Sequence, residues 1–465
     1  MAVPAQIDSD GLEDLVVVTD HELHWLQNRN VTRFVDNFID TYEVELFRSV
    51  LAYDVNSDGF IDVIVCSNSS LSWYENSGFG VGWNKHLLPS HGGCQNIAVG
   101  DFNNNMVMDL AFTDWNKTSV SILFDFNDDS KTEMQTVYVN FSSSQNYPFD
   151  SLAVGDIDAD GFLDIAVSSS MGRTLVWFAA VLTGSSPVNS IQYKWSVLDE
   201  NLPNPRQVSL ADMNLDGFLD IVIVTYDDSV LGWFRNDFLH PEHRFLSREV
   251  LVQGQGGALS FGLADVDGDG DTDGFLLCSG DNSLVAFINM IVELHGNMTF
   301  VLRFVSSSLD GGVFVGVGDI NKDGAIDAFS LSRASFQVVV HLNECCYSKY
   351  QPPPNEPHPY FVPCVWDFSL VLDTDPGSPF AVVNPNRNEW LQIRVPSSSF
   401  AGSFYLNNNF IDNTNTSVKY ITRTLPNGQF FFISIVVGMF NTVHICARSQ
   451  FSLYFCISKF LYFFI

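Results

Sequence analysis

A nine-residue acidic segment recurs along the chain and limits the folds that the sequence can adopt. Its clearest copy, Asp156–Asp164, has carboxylates at positions 1, 3, 5 and 9 and glycine at position 6. Apolar residues flank it, as Leu152–Val154 before and Ile165–Val167 after. Closely spaced oxygen atoms are the ligands of a hard cation such as Ca²⁺, and glycine permits a sharp turn at positive φ. The segment is therefore predicted to be a cation-binding loop.

The segment occurs seven times in one register. Its ninth positions lie about 50 residues apart, at Asp14, Asp62, Asp109, Asp164, Asp220, Asp273 and Asp327. Repeats of this period are typical of propellers, solenoids and arrays. Five copies keep the whole pattern, whereas Gln6 replaces the first Asp of copy one. Copy three has Asn105 and Met106 at positions 5 and 6, so it is predicted to bind metal weakly or not at all.

The predicted Ca²⁺ ligands are the side-chain oxygens of six of these loops. They are Asp8, Asp10 and Asp14; Asp54, Asn56, Asp58 and Asp62; Asp156, Asp158, Asp160 and Asp164; Asp212, Asn214, Asp216 and Asp220; Asp265, Asp267, Asp269 and Asp273; and Asp319, Asn321, Asp323 and Asp327. Without a cation each loop packs like charges together, so folding is expected to depend on the metal.

An EF-hand is the main alternative for such a loop, and the sequence argues against it. An EF-hand requires Glu at position 12. In the copies that begin at Asp156 and Asp212, position 12 is Val167 and Ile223. Because β-branched apolar residues favour strands, each loop is predicted to join two strands.

Every repeat shows the same order of strand signals. A short strand such as Val208–Ala211 precedes the loop, and a second strand such as Asp220–Thr225 leaves it directly. A third strand often carries Trp, as in Leu231–Phe234, and Asn or Asp commonly closes it; a looser fourth strand ends the unit. Four strands in each of seven units predict an all-β, seven-bladed β-propeller over residues 1–345. The Trp residues are predicted to pack between blades.

The loop pattern, together with a third strand of the form Trp-Tyr/Phe-x-Asn, resembles the FG-GAP/VCBS repeats of integrin-α-like propellers. The resemblance covers about residues 1–345. It implies that the loops bind structural Ca²⁺ on one face and that a protein or glycan ligand meets the opposite face. The loops expected on that opposite face contain Asp114–Asn116, Met171–Arg173, Pro205–Arg206, Tyr226–Asp228 and Arg333.

The start of the chain departs from this family. Met1–Pro4 already reads as the first strand of blade one, and no secretory leader is visible before it. Integrin-type propellers usually close with a strand from the N-terminus. We therefore expect either a longer N-terminus or a last blade whose fourth strand comes from beyond residue 343. An extracellular or cell-surface location is expected, because such loops suit millimolar calcium.

Charge and cysteine spacing narrow the remaining classes of function. The formal net charge is −32, which argues against nucleic-acid binding because that requires a basic surface. None of the eight cysteines has the spacing of a zinc site. Cys66 and Cys94 could pair between neighbouring repeats, and Cys345 or Cys346 could pair with Cys364. Buried free thiols are the alternative.

The residues beyond the repeats divide into three segments. Residues 346–359 are predicted to form an extended Pro-rich linker, and residues 360–428 a small β-rich, sandwich-like domain. Residues 429–465 are apolar. The stretch 430–447 is near the minimum length of a membrane helix, so a single-pass anchor, a tail without a native role and buried strands are the alternatives.

The sequence contains no recognisable catalytic motif. It lacks a GxSxG elbow, an HExxH helix and a P-loop. His21 and His24 lie three residues apart, which places them on opposite sides of a strand. The predicted function is non-catalytic recognition or adhesion by a calcium-binding propeller. The alternative is a propeller enzyme such as a polysaccharide lyase or a phospholipase-like hydrolase.

Overall fold

In the computed structural model, every regular element among the described residues is a β-strand. The structure separates into two units, Met1–Asn384 and Pro385–Ile465. Beyond residue 343 it describes the backbone of the strands alone. Within residues 1–343 it describes all residues except 31–32, 43–44, 128–131, 140–146, 184–190, 239–243, 255, 297, 308 and 335–336.

Seven four-stranded antiparallel sheets form the first unit, and each is one blade of a β-propeller. Blades 1 and 2 contain β1 (Ala2–Ala5), β2 (Asp14–Val18), β3 (Glu22–Asn30), β4 (Arg33–Thr41), β5 (Phe47–Tyr53), β6 (Asp62–Ser67), β7 (Leu71–Asn76) and β8 (Trp83–Leu88). Blades 3 and 4 contain β9 (Cys94–Gly100), β10 (Asp109–Asp114), β11 (Ser119–Phe124), β12 (Glu133–Tyr138), β13 (Ser151–Gly155), β14 (Asp164–Ser169), β15 (Thr174–Leu182) and β16 (Ile191–Asp199). Blades 5 and 6 contain β17 (Pro205–Ala211), β18 (Asp220–Thr225), β19 (Val230–Phe234), β20 (Glu249–Gln253), β21 (Ala258–Ala264), β22 (Asp273–Cys278), β23 (Ser283–Asn289) and β24 (Phe300–Ser306). Blade 7 contains β25 (Gly312–Gly318), β26 (Asp327–Ser332), β27 (Gln337–Asn343) and β28 (Phe368–Val371).

Burial explains why the second strand of each blade has an uninterrupted apolar run. In β18, every residue is buried, because both faces of the strand pack against neighbouring blades. A strand buried on both faces shows no alternation of polar and apolar residues. The fourth strands β8 and β12 are largely exposed, which explains their weaker sequence signal.

The hydrophobic core consists of seven clusters, and each joins two adjacent blades. The ring closes between blades 7 and 1, where Leu15 and Val17 pack with Phe329 and Val340. The prediction that Trp residues pack between blades is confirmed. They contribute to four different clusters, as Trp25, Trp73, Trp177 and Trp233.

For two chain connections, the structure shows one of the alternatives that the sequence left open. The fourth strand of the last blade comes from beyond residue 343, because β28 pairs with β27 through Asn343 and Phe368. The strand β28 therefore belongs to blade 7, whereas we had assigned it to the small domain of residues 360–428. Cys66 and Cys94 form a disulfide between blades 2 and 3. The other predicted pair, involving Cys345, Cys346 and Cys364, lies outside the described residues.

The second unit also consists of strands. One two-stranded sheet contains β29 (Leu391–Arg394) and β30 (Ser403–Leu406). One four-stranded sheet contains β31 (Val418–Thr424), β32 (Phe430–Val437), β33 (Val443–Ser449) and β34 (Leu453–Ser458). This second sheet crosses the boundary that we expected at residue 428.

The described residues contain no helix long and apolar enough to cross a membrane. Three strands occupy much of residues 429–465, where a membrane helix was one of our alternatives. Anchoring of the protein through this segment stays a prediction.

Candidate functional site

Each acidic loop joins the first strand of a blade to the second, so the loops share one face of the ring, called here the loop face. In blade 4, Asp156 accepts hydrogen bonds from the N–H groups of Asp160 (3.0 Å) and Gly161 (3.0 Å). Gly161 adopts φ +91°, a conformation that side chains disfavour. The same two bonds to position 1 recur in blades 2, 3, 5, 6 and 7.

The predicted ligands at positions 1, 3 and 5 converge in the loop of blade 4. Carboxylate oxygens of Asp156, Asp158 and Asp160 lie within 4.8 Å of one another. Asp158 Oδ1 is buried and lacks a hydrogen-bond partner among the described residues. Burial and the neighbouring charge of Asp160 raise the pKa of Asp158. An all-oxygen donor set with an unpartnered buried oxygen fits Ca²⁺.

The loop of blade 6 has the same convergence. Oxygens of Asp265, Asp267 and Asp269 lie within 4.8 Å of one another. Burial, followed by the charge of Asp269, raises the pKa of Asp267 to about 7. Blades 4 and 6 are the loops in which positions 1, 3 and 5 are all Asp.

Asn occupies position 3 in the loops of blades 2, 5 and 7. In blade 5, Asn214 Nδ2 donates a hydrogen bond to Asp216 Oδ2 (2.9 Å). Equivalent bonds join Asn56 to Asp58 (3.0 Å) and Asn321 to Asp323 (2.9 Å). The amide N–H thus binds the carboxylate oxygen that a cation would use. Cation binding requires each Asn to turn its oxygen inward instead.

The ninth-position aspartates hold the blade together in addition to any metal role. All seven are 0 % exposed: Asp14, Asp62, Asp109, Asp164, Asp220, Asp273 and Asp327. Asp220 accepts hydrogen bonds from the N–H groups of Met213 (3.0 Å) and Asn236 (2.8 Å). It therefore ties the loop to the end of the third strand. Burial raises the pKa of Asp220 to about 7, although both N–H groups oppose the shift.

Of the two loops that depart from the pattern, that of blade 3 keeps its turn. In blade 3, Met106 adopts φ 67°, and the N–H groups of Asn105 (3.0 Å) and Met106 (2.8 Å) still bind Asp101. In blade 1, the Gln27 amide donates a hydrogen bond to Asp8. The weaker metal binding expected of the third loop stays a prediction.

Five Asn side chains each connect the loop of one blade to the following blade, a role that our sequence analysis missed. Asn236 Nδ2 donates to Ile157 O in the loop of blade 4 (2.7 Å) and to Leu219 O in its own loop (3.0 Å). Equivalent bonds to the preceding blade are made by Asn28 (3.1 Å), Asn76 (3.0 Å), Asn289 (3.0 Å) and Asn343 (2.9 Å). The recurrence of Asn at the end of the third strand was the available signal.

The opposite face carries a cavity of about 490 Å³ where the first strands of blades 5 to 7 begin. Arg206, Tyr226 and Arg333 line it. All three belong to loops that we predicted for the ligand face. The Arg333 side chain is 69 % exposed and pairs with Asp20 of blade 1 (2.5 Å). Two arginines thus border one cavity of a strongly acidic protein.

The other loops predicted for this face contribute no residue to the cavity lining. Arg173 pairs with Asp227 (3.6 Å), and Met171 is exposed. Trp115 lies under the Arg48 guanidinium, 4.6 Å from the ring centre. Asp114 is fully buried and accepts hydrogen bonds from two serine hydroxyls, so its role is structural.

Family comparisons identify the repeats. The FG-GAP-like repeat matches residues 54–112, and the FG-GAP repeat matches residues 149–179. The first match begins at the acidic loop of blade 2. The second begins just before β13, the first strand of blade 4. The chain therefore contains FG-GAP repeats in these two segments. No curated protein matches it significantly over its sequence.

Solved structures that match this chain include two of low sequence identity. An Agrocybe aegerita lectin, described as recognising non-reducing terminal N-acetylglucosamine, is 14% identical with a TM-score of 0.47. The match covers 71% of this chain and 84% of the lectin. A protein from Lactobacillus plantarum is 10% identical with a TM-score of 0.48, covering 74% of this chain and 91% of that protein.

Proposed function

We propose that this FG-GAP propeller is a calcium-stabilised recognition module that acts outside the cell or at its surface. The observation that carries the proposal is the blade-4 loop, where three carboxylates converge around a buried oxygen that lacks a partner. A bound Ca²⁺ supplies positive charge to these groups. Asp156 holds the backbone turn, and Asp164 ties it to the third strand. The loop residues thus position the ligands before the ion binds.

The proposed ligand carries an anionic group and binds the cavity on the opposite face. Arg206 and Arg333 present guanidinium groups there, and such groups bind carboxylates or sulfates through paired hydrogen bonds. Tyr226 adds an aromatic surface and a hydroxyl. Acidic proteins and anionic glycans both offer such groups. Binding rather than catalysis is the role proposed for this cavity.

Asp160→Asn tests the calcium part of the proposal. Asparagine preserves the oxygen that accepts the Phe162 N–H bond (2.9 Å) but removes the ligand charge. We expect the full-length variant to bind one Ca²⁺ fewer than the wild type in equilibrium dialysis. Its melting temperature should also rise less on addition of calcium. The matched control is Glu200→Gln, an exposed acid outside the loops. An unchanged ion count in Asp160→Asn would refute the assignment.

Arg206→Ala and Arg333→Ala test the ligand part. The probe is an array that contains sialylated, sulfated and neutral oligosaccharides together with acidic peptides. We expect the wild type to bind anionic members and each variant to bind them at least tenfold more weakly. Arg235→Ala is the matched control, because Arg235 is exposed near the loop face. Equal binding by all three variants would exclude this cavity as the ligand site.

A further inference from the structure

Blade 6 has two acidic residues that the other loops lack. Asp271 stands at position 7, where the complete loops of blades 2, 4, 5 and 7 have Phe or Ala. Glu293 lies in the turn after β23. Carboxylate oxygens of Asp269, Asp271 and Glu293 lie within 4.8 Å of one another. This second group shares Asp269 with the convergent ligands of the loop.

The burial of Asp271 is a second observation that indicates a bound ligand, and it is independent of the clustering of the carboxylates. The residue is 3% exposed, and neither carboxylate oxygen has a hydrogen-bond partner in the described part of the chain. The Val292 N–H and the Asp273 carboxyl approach it without hydrogen-bond geometry. Glu293 Oε2 and Asp269 Oδ2 are also buried and unpartnered. Buried carboxylates are normally paired or bound to a metal.

The local charge also exceeds what one ion can balance. Blade 6 concentrates six acids in and beside its loop: Asp265, Asp267, Asp269, Asp271, Asp273 and Glu293. Among the described residues, no Lys, Arg or His forms an ion pair with any of them. One divalent ion leaves several of these charges uncompensated, whereas two ions balance most of them.

We propose that blade 6 binds a second hard divalent cation between Asp269, Asp271 and Glu293, beside the ion of its loop. Asp269 contributes one oxygen to each ion. The second ion joins the loop to the turn that leads from the third strand to the fourth. This inference rests on the proposed calcium binding by the loops, because the two ions share Asp269.

Equilibrium dialysis of the full-length protein with Ca²⁺ tests the second ion. We expect Glu293→Gln and Asp271→Asn each to bind one ion fewer than the wild type. Asp160→Asn in blade 4 separates the two proposals. A loss in Asp160→Asn without a loss in Glu293→Gln overturns the second site alone, and no loss in any variant overturns both proposals.

Thermal unfolding distinguishes a metal ligand from an acid with a purely structural role. Asp271→Asn removes a buried charge, so its melting temperature in chelator should exceed that of the wild type. Its rise on addition of calcium should be smaller. A decrease in both conditions would assign Asp271 a structural role and overturn the proposal. Glu200→Gln again serves as the control.

Discussion

Replacing Asn236 with Ala should weaken the contact between blades 4 and 5. Asn236 is 1% exposed, and its amide donates to Ile157 O and Leu219 O. Alanine removes both bonds and leaves two carbonyl groups without this donor. A hydrogen bond contributes about 1 kcal/mol net, and an unsatisfied buried group costs about 1–3 kcal/mol. Removing Asn236 Oδ1, which has no partner in the described residues, offsets part of this cost. The expected loss is therefore about 2–3 kcal/mol in the free energy of unfolding.

Denaturant unfolding at fixed calcium concentration measures this loss. The backbone N–H of residue 236 still binds Asp220 in the variant, so the loop itself is preserved. Asn236→Asp provides a second test, because it keeps the size of the side chain but places a carboxylate against two carbonyl oxygens. It should destabilise the protein at least as much. Asn84→Ala is the matched control, because Asn84 is exposed on the edge strand β8. If Asn236→Ala lowered stability no more than this control, the proposed role of the five Asn residues would be refuted.

Two further predictions concern the disulfide and pH. Replacing both Cys66 and Cys94 with Ala should lower the free energy of unfolding by about 3–4 kcal/mol, because the bond closes a loop between residues 28 apart in sequence. A loss below about 1 kcal/mol in denaturant unfolding would contradict this entropic explanation. In chelator, the melting temperature should fall as pH rises from about 4 to about 8, because burial raises the pKa of Asp327 from 3.8 to about 8 and that of Asp164 to about 7. These carboxyls are neutral at low pH and are forced to ionise while buried at higher pH, so an increase in melting temperature over this range would show that the sign is wrong.

The repeated loop allowed the architecture to be predicted from sequence. Its glycine and first-position Asp define a local turn, and the hydrogen bonds that stabilise this turn lie within six residues, as between Asp212 and Gly217 (2.7 Å). The apolar run after each loop follows from burial on both faces, as in β18. Both signals are local and recur in each unit. The number of blades and the packing of Trp between them could therefore be derived before the structure.

Contacts between distant residues could not be derived in the same way. Asn236 and Ile157 are 79 residues apart. The recurrence of Asn indicates a shared role, but no local pattern indicates which carbonyl group of another blade the amide meets. The same holds for β28, which lies 25 residues beyond the end of β27 and has the alternating pattern of any edge strand. The proximity of Asp271 and Glu293 could not be predicted, because neither acid belongs to the repeated pattern and only the turn after β23 brings them together.

Blade 3 shows that the departures from the repeat pattern are related. It lacks the glycine of the loop, and Asp125 stands where five other blades have the Asn that contacts the preceding blade. Blade 4 has Ala180 at the same position. Both interfaces of blade 3 therefore lack the Asn contact, and each has another connection instead.

The disulfide joins blade 3 to blade 2, and Asn104 Nδ2 donates to Gly161 O in the loop of blade 4 (2.8 Å). The disulfide lies outside the loops, whereas Gly161 belongs to a loop that would bind calcium. If the loops of the other blades bind Ca²⁺, removal of the ion weakens their contacts through the shared loop backbone, which the Asn amides bind. Blade 3 is held on one side by a covalent bond and on the other by an amide that reaches a backbone carbonyl. Blades 2 and 3 should therefore stay joined in chelator, when the contacts of blades 5, 6 and 7 loosen.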